Sequence, residues 1–335
     1  MRGVGIFLFV SVLMAGLTGC PPGPIEIRDW HELHAVRDDL EEDYVLVNDL
    51  DAATPGYAEL AGPSANGGRG WEPIGTTDAG FTGSFNGQGY EIRDLHINRP
   101  DEDYVGLFSR ISWIRHIENF GVIENVGVID ADVTGKAKVG ALVGHNGGIV
   151  RNSYSGGTVT GSERVGGLVG WNQHTLRNSY SSCTVTGDSA VGGLVGDNWT
   201  RSTISDSYAT GSVSGSSKVG GLVGWNYHAY VHRSYSTGAL SGEDRVGGLI
   251  GGRMEGIVSD SFWNAESSGM AISDGGAGKT TADMRSMATF VDTTTTGLDE
   301  PWRMTSVSPG ETDPAYAWNI VDGQTYPFLS WQEVG

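Results

Sequence analysis

Apolar positions in the middle of this chain recur as short clusters, with no helical stripe between them. Val165-Gly166-Gly167-Leu168-Val169-Gly170 has counterparts beginning at Val139, Val191, Val219 and Val246, so successive starts lie 26, 26, 28 and 27 residues apart. A second cluster keeps step at Ser153-Tyr154, Ser179-Tyr180, Ser207-Tyr208, Ser234-Tyr235 and Ser261-Phe262. A third lies at Thr158-Val159-Thr160, Thr184-Val185-Thr186, Ser212-Val213-Ser214 and Ala239-Leu240-Ser241. Short strands at constant spacing, separated by glycine-containing turns, cannot form helix-connected units. They can coil, each strand pairing in parallel with its counterpart one turn on. The pattern therefore predicts an all-β fold, a right-handed parallel β-helix (β-solenoid) of about eight coils and roughly 40 Å in length.

Stacking turns each repeat position into a column. Asn146, Asn172, Asn198 and Asn226 predict an asparagine ladder whose amides bond one another and the turn backbone. Val159, Val185, Val213 and Leu240 predict a core column, as do Val150, Leu176, Ile204, Val231 and Val258. Tyr154, Tyr180, Tyr208, Tyr235 and Phe262 form an aromatic column whose direction stays open. Alternation would place Asn178, Asp206 and Arg233 on its side, and a charged interior is unfavourable unless the chain bends there. The position before each asparagine varies (His145, Trp171, Asp197, Trp225), and the adjoining turns add Trp199, Tyr227 and Tyr230. Trp171, Trp199, Trp225, Tyr227 and Tyr230 are the candidate ligand contacts. Large rings at a turn can form an exposed strip that stacks on sugars or packs on a partner, or they can simply shield the flank.

Outside the regular part, Asp29 with Glu32 three places on predicts a capping box and a short helix over Asp29–Leu40. Tyr44–Val47 reads as a strand and Thr54–Gly70 as loop. Val105-Gly106-Leu107-Phe108 resembles a degenerate motif copy 34 residues before Val139, which implies an insertion within Ser112–Ile123. Beyond Asn264 the period is lost; a short helix is expected over Asp283–Phe290 and a final apolar strand from Ile320, Tyr326, Phe328, Leu329 and Trp331. Open solenoid ends expose strand edges, so the N-terminal helix and this tail are expected to cover them. The resulting division is residues 1–19 signal peptide, 20–28 tether, 29–104 N-terminal cap and irregular coils, 105–263 repeats, and 264–335 C-terminal cap.

The first segment is not part of the fold. Arg2 precedes an apolar run, Val4–Leu17, that suits a secretory signal, and Leu17-Thr18-Gly19-Cys20 resembles the lipobox of bacterial lipoproteins. That resemblance implies lipidation at Cys20, attachment to a membrane through it, and a place in the cell envelope on the extracellular or periplasmic side. Cys183 would then have no disulfide partner and aligns with Gly157, Gly211 and Gly238, so it reads as a small turn residue. The 53 glycines fit many turns, and 40 acidic against 21 basic residues, a net charge of -19, argue against nucleic acid as partner.

VGGLVGWN followed by RNSYSSCTVTG resembles the GLUG-motif repeats of bacterial and archaeal surface proteins, and the flanking segments FTGSFNGQGYEIRDLHI and GGAGKTTADM resemble those that usually accompany them. The family resemblance implies an adhesin-like scaffold and supports function only loosely.

No catalytic residue, metal ligand or cofactor is expected. Asp130 and Asp132, and Asp188, Glu243 and Asp244, share their turns with Lys138, Arg164, Lys218 and Arg245, a mixed-sign edge of solvated character and not a catalytic carboxylate pair. Gly278-Lys279-Thr280 lacks the glycine five places earlier that a phosphate loop needs. The expected role is a non-catalytic cell-surface adhesion or ligand-binding module, with a carbohydrate or a surface protein as partner. A carbohydrate-active β-helix enzyme and a structural spacer of a surface assembly are the alternatives.

Overall fold

The structure, a computed structural model, describes residues 23–114 and 119–332. The signal peptide, Cys20 and the first part of the tether lie outside the described residues. The body is a parallel β-solenoid. Among the described residues, one sheet has nine strands running from Ile25–Ile27 to Ile257–Ser259, a second has fourteen, and a third has six, from Phe108–Ile111 to Ile250–Met254. Equivalent repeat positions pair in register, as in Val143 with Val169, Val169 with Val195, Val195 with Val223 and Val223 with Ile250.

Val150, Leu176, Ile204 and Val231 are buried, as are Val159, Val185 and Val213, and they join one continuous core. In the last coil Val258 and Leu240 are only half-buried, because no further coil covers them fully. The motif glycines are imposed by close backbone approach. A Cβ on Gly166, Gly192 or Gly220 would stand 2.1, 2.1 or 2.0 Å from the carbonyl oxygen three residues on, well inside contact distance.

The degenerate copy is a real coil, with Val105 paired to Val139 and Phe108 to Val143. The insertion is a small antiparallel hairpin of Trp113–Ile114 with Asn119–Phe120. At the N-terminal end the helix is Trp30–Ala35, followed by a 3-10 turn over Val36–Asp38. Asp29 caps it, accepting from Glu32 N, but the Glu32 side chain accepts from Arg28 N, one residue before the cap. Trp30 and Leu33 are buried against Trp71 and the first coils. Ile25–Ile27, placed in the tether by sequence, is a strand paired with Asp43–Leu46. The expected loop 54–70 contains a short helix, Tyr57–Leu60, and a 3-10 turn, Ala65–Gly67.

The C-terminal region departs most from expectation. Residues near 272–279 do cover the open end: Gly248 N donates to Ile272 O, and Ala277–Lys279 pairs with Phe262–Asn264. Two short helices, Thr281–Met284 and Ala288–Val291, replace the single helix expected there. From there the chain turns back along the flank of the solenoid and builds a second core with Tyr208, Tyr235, Phe262, Trp302, Trp318 and Leu329.

Candidate functional site

Three sets of stacked side chains dominate the molecule. In the first, Asn146 Nδ2 donates to Asn172 Oδ1, Asn172 to Asn198 and Asn198 to Asn226, each at 2.8 Å, and all four are fully buried. The spare amide groups bond turn backbone or a hydroxyl, as in Gly148 N to Asn146 Oδ1 at 3.0 Å and Ser202 Oγ to Asn198 Oδ1 at 2.7 Å. Ile111 and Arg253 occupy the column at either end. A serine ladder runs parallel to it, built from the serine that precedes each ring of the tyrosine column. Ser179, Ser207, Ser234 and Ser261 each accept from the backbone N–H of the serine one coil earlier at 3.2–3.3 Å, and each donates to the carbonyl two residues back. Both ladders satisfy polar groups that stacking would otherwise bury unpaired.

The second set is the tyrosine column. Tyr154, Tyr180, Tyr208 and Tyr235 stack with centroids 4.9 Å apart and nearly parallel planes. It faces away from the solenoid interior. Asn178, Asp206 and Arg233 sit at left-handed backbone positions (φ 49°, 47° and 45°), and the charged pair stays on the same outer side as the rings. There Arg233 holds Asp206 through two bonds of 2.8 Å, and Trp318 Nε1 also donates to Asp206. The returning C-terminal segment covers this face: Trp318 lies against Tyr208 and Tyr235, and Tyr235 Oη donates to Pro327 O at 2.6 Å. The apparent conflict of a charged interior disappears because a second core forms outside the coil.

The third set holds the candidate ligand contacts. His145, Trp171, Asp197 and Trp225 form one column in the six-stranded sheet. His145 is buried, and Trp171, Trp199, Trp225 and Tyr227 are half-buried, a denser packing than a free strip. Trp171 stacks on His145 at 4.5 Å and meets the Trp199 ring edge-on at 6.4 Å, while Trp199 stacks on Tyr227 at 4.2 Å. Trp225 makes no ring contact with the others among the described residues. Lys138, Arg164, Lys218 and Arg245 all have left-handed φ, and they lean over this column. Arg164 is 5.5 Å from the Trp171 centroid, and Lys218 is 4.4 Å from that of Trp225. The carboxylates of this edge, Asp130, Asp132, Asp188, Glu243 and Asp244, are exposed to solvent as expected, while the cations beside them lie over the rings. Tyr230 is exposed, at 44%.

Between the rings, Asp197 pairs with Arg164 at 2.9 Å, and burial raises its carboxyl to about 6. Burial lowers His145 to about 4 from its ordinary 6.5. The unfolded chain thus takes up a proton at His145 before the folded one does. Its contribution to stability is full above pH 6.5 and is lost as pH falls toward 4. An NMR titration should find the His145 imidazole neutral at pH 5; a midpoint near 6.5 would contradict the burial described here. Cys183 is buried, its thiol pushed up by desolvation.

A cleft of about 990 Å³ opens where the C-terminal segment ends over the tyrosine column, walled by Tyr90, Glu91, Arg93, Asn152, Tyr154 and Trp331. Its walls come from six separate stretches of chain that no local sequence pattern links.

Residues 187–214 match the GLUG motif. The chain thus contains a GLUG motif over this stretch. It is 37% identical over 147 residues to a candidate Gly-rich membrane protein of Evansella cellulosilytica, a match covering 42% of this chain and 15% of that one. It is 36% identical over 146 residues to halomucin of Haloquadratum walsbyi, covering 42% of this chain and 2% of that one. This GLUG-motif chain therefore corresponds to a small fraction of either relative's length. The crystal structure of a candidate immunoglobulin A1 protease from Bacteroides ovatus aligns over 94% of both chains with a TM-score of 0.63 at 19% identity, a likeness of fold alone.

Proposed function

We propose that this protein is a non-catalytic, lipid-anchored carbohydrate-binding module of the cell envelope. The observation that carries the reading is the outer aromatic edge, where Trp199 stacks on Tyr227 at 4.2 Å with Tyr230 exposed nearby. A rigid solenoid holds these rings at fixed spacing, which lowers the ordering cost of binding an extended chain. The cations over Trp171 and Trp225 make those two rings structural members of the edge, so Trp199, Tyr227 and Tyr230 are the contacts to test. Retention of polysaccharides on the immobilised chain should fall at least tenfold in a Trp199→Ala, Tyr227→Ala, Tyr230→Ala variant, about 1.4 kcal/mol. Retention at wild-type strength would remove the edge from the account.

The anchor is proposed from the lipobox-like Leu17–Cys20 sequence, and the name of the Evansella relative agrees with a membrane setting. In a bacterial host, the Cys20→Ser variant should leave the detergent phase on phase separation while the wild type stays in it. Equal partitioning would argue against lipidation.

A further inference from the structure

The tyrosine column ends in an unusual way. One coil before Tyr154 the same position is Gly127, and one coil before that it is Glu91. With no side chain at Gly127, the Tyr154 ring lies across it; a Cβ there would stand 2.5 Å from Tyr154 Cζ. Tyr154 Oη then reaches Glu91 Oε1, two coils away, and Glu91 also pairs with Arg93. The missing ring leaves a step in the column, and Trp331 closes its far side, 5.9 Å from Tyr154 and 6.0 Å from Tyr180. Tyr90 is 37% exposed at the other rim.

The cleft thus has ring surfaces together with an array of mixed donors and acceptors. Asn152 Nδ2 donates to Asn125 Oδ1 at 3.0 Å and Asn125 Nδ2 to Asn86 Oδ1 at 3.1 Å. This relay uses the inner amide groups and leaves Asn86 Nδ2 as a donor and Asn152 Oδ1 as an acceptor at its two ends. Arg93 and Glu91 add one charged donor and one charged acceptor that largely offset each other. Vicinal hydroxyls, each both donor and acceptor, match such a set, and a pyranose face matches the rings. A polyanion does not, since the cleft also contains Asp49 and the chain carries a net charge of -19.

We infer that the cleft between Tyr90, Glu91, Arg93 and Trp331 is a binding site for neutral pyranose oligosaccharides. It rests on the carbohydrate-binding reading above but is separate from the aromatic edge. The cleft residues bind and orient the sugar, and no bond is made or broken.

The test is calorimetric titration of the full chain with cellohexaose, maltohexaose, mannohexaose and chitohexaose. At least one should bind, and Tyr90→Ala and Trp331→Ala should each weaken it about tenfold or more. Tyr90 stands on the rim, so its variant keeps the fold even if Trp331→Ala loosens the C-terminal segment; thermal unfolding of each variant checks this. The control variant Tyr316→Ala, at an exposed ring outside both the cleft and the edge, should bind these probes as the wild type does. Binding that ignores Tyr90→Ala but is lost in Trp199→Ala would overturn the cleft and keep the edge. Binding lost in the cleft variants alone would support the cleft and leave the edge without a role in it. No heat with any of the four would overturn the cleft proposal, and the edge would then stand or fall on polysaccharide retention.

Discussion

Tyr235→Ala should destabilise the protein by about 3–5 kcal/mol, the range for removing a large buried aromatic side chain. Tyr235 is 1% exposed and stands where the two cores meet. Its ring stacks on Tyr208 at 4.9 Å and contacts Trp318 at 5.8 Å, and its hydroxyl bonds Pro327 O. The loss should also free the C-terminal segment, so protease should cut within 281–332 while the solenoid core stays intact. Tyr235→Phe keeps the stack and gives up only the hydroxyl bond, so it should cost about 1 kcal/mol. Denaturant unfolding of both variants measures the difference. Equal small losses would mean that the segment is not held by the column.

Asn198→Ala should cost about 3 kcal/mol or more, because it strands several buried groups at once. Asn198 accepts from Asn172 Nδ2 and Ser202 Oγ and donates to Asn226 Oδ1 and Tyr230 O. Asn226 ends the ladder, accepting from Asn198 and donating to Ala229 O. Asn226→Ala should therefore cost less than Asn198→Ala. If the two substitutions cost the same in denaturant unfolding, the amides act as independent turn residues and not as a ladder.

The repeat period made the parallel solenoid legible, because a column of identical residues has one geometric interpretation when strands stack in register. It also made Asn146, Asn172, Asn198 and Asn226 readable as a column, since a buried polar residue repeated at a turn needs a partner and its copy supplies one. The facing of Tyr154 to Phe262 was not legible. It depends on a second apolar surface supplied by Trp302, Trp318 and Trp331, which lie in a stretch with no period and no pattern linking them to the coils. The tail was expected at the solenoid end for the same reason, and only its first part is there.

At the aromatic edge the sequence carries a usable signal in the spacing of its cations. Lys138, Arg164, Lys218 and Arg245 each precede the varying edge position by seven residues, a constant offset that places each cation beside the column. Trp171 and Trp225 share a residue type with Trp199, but the cations lying over them give them a different role. The cleft could be anticipated only from a gap in a column, Gly127 where later coils carry tyrosine, and a gap has meaning only once the register is known.

Incubating the full chain with a panel of polysaccharides, and measuring both the retained chain and any sugar ends released into solution, tests the central claim most directly. Non-catalytic binding predicts retention with no growth in reducing or unsaturated ends over time. Steady release of such ends, or no retention of any polysaccharide, would contradict it.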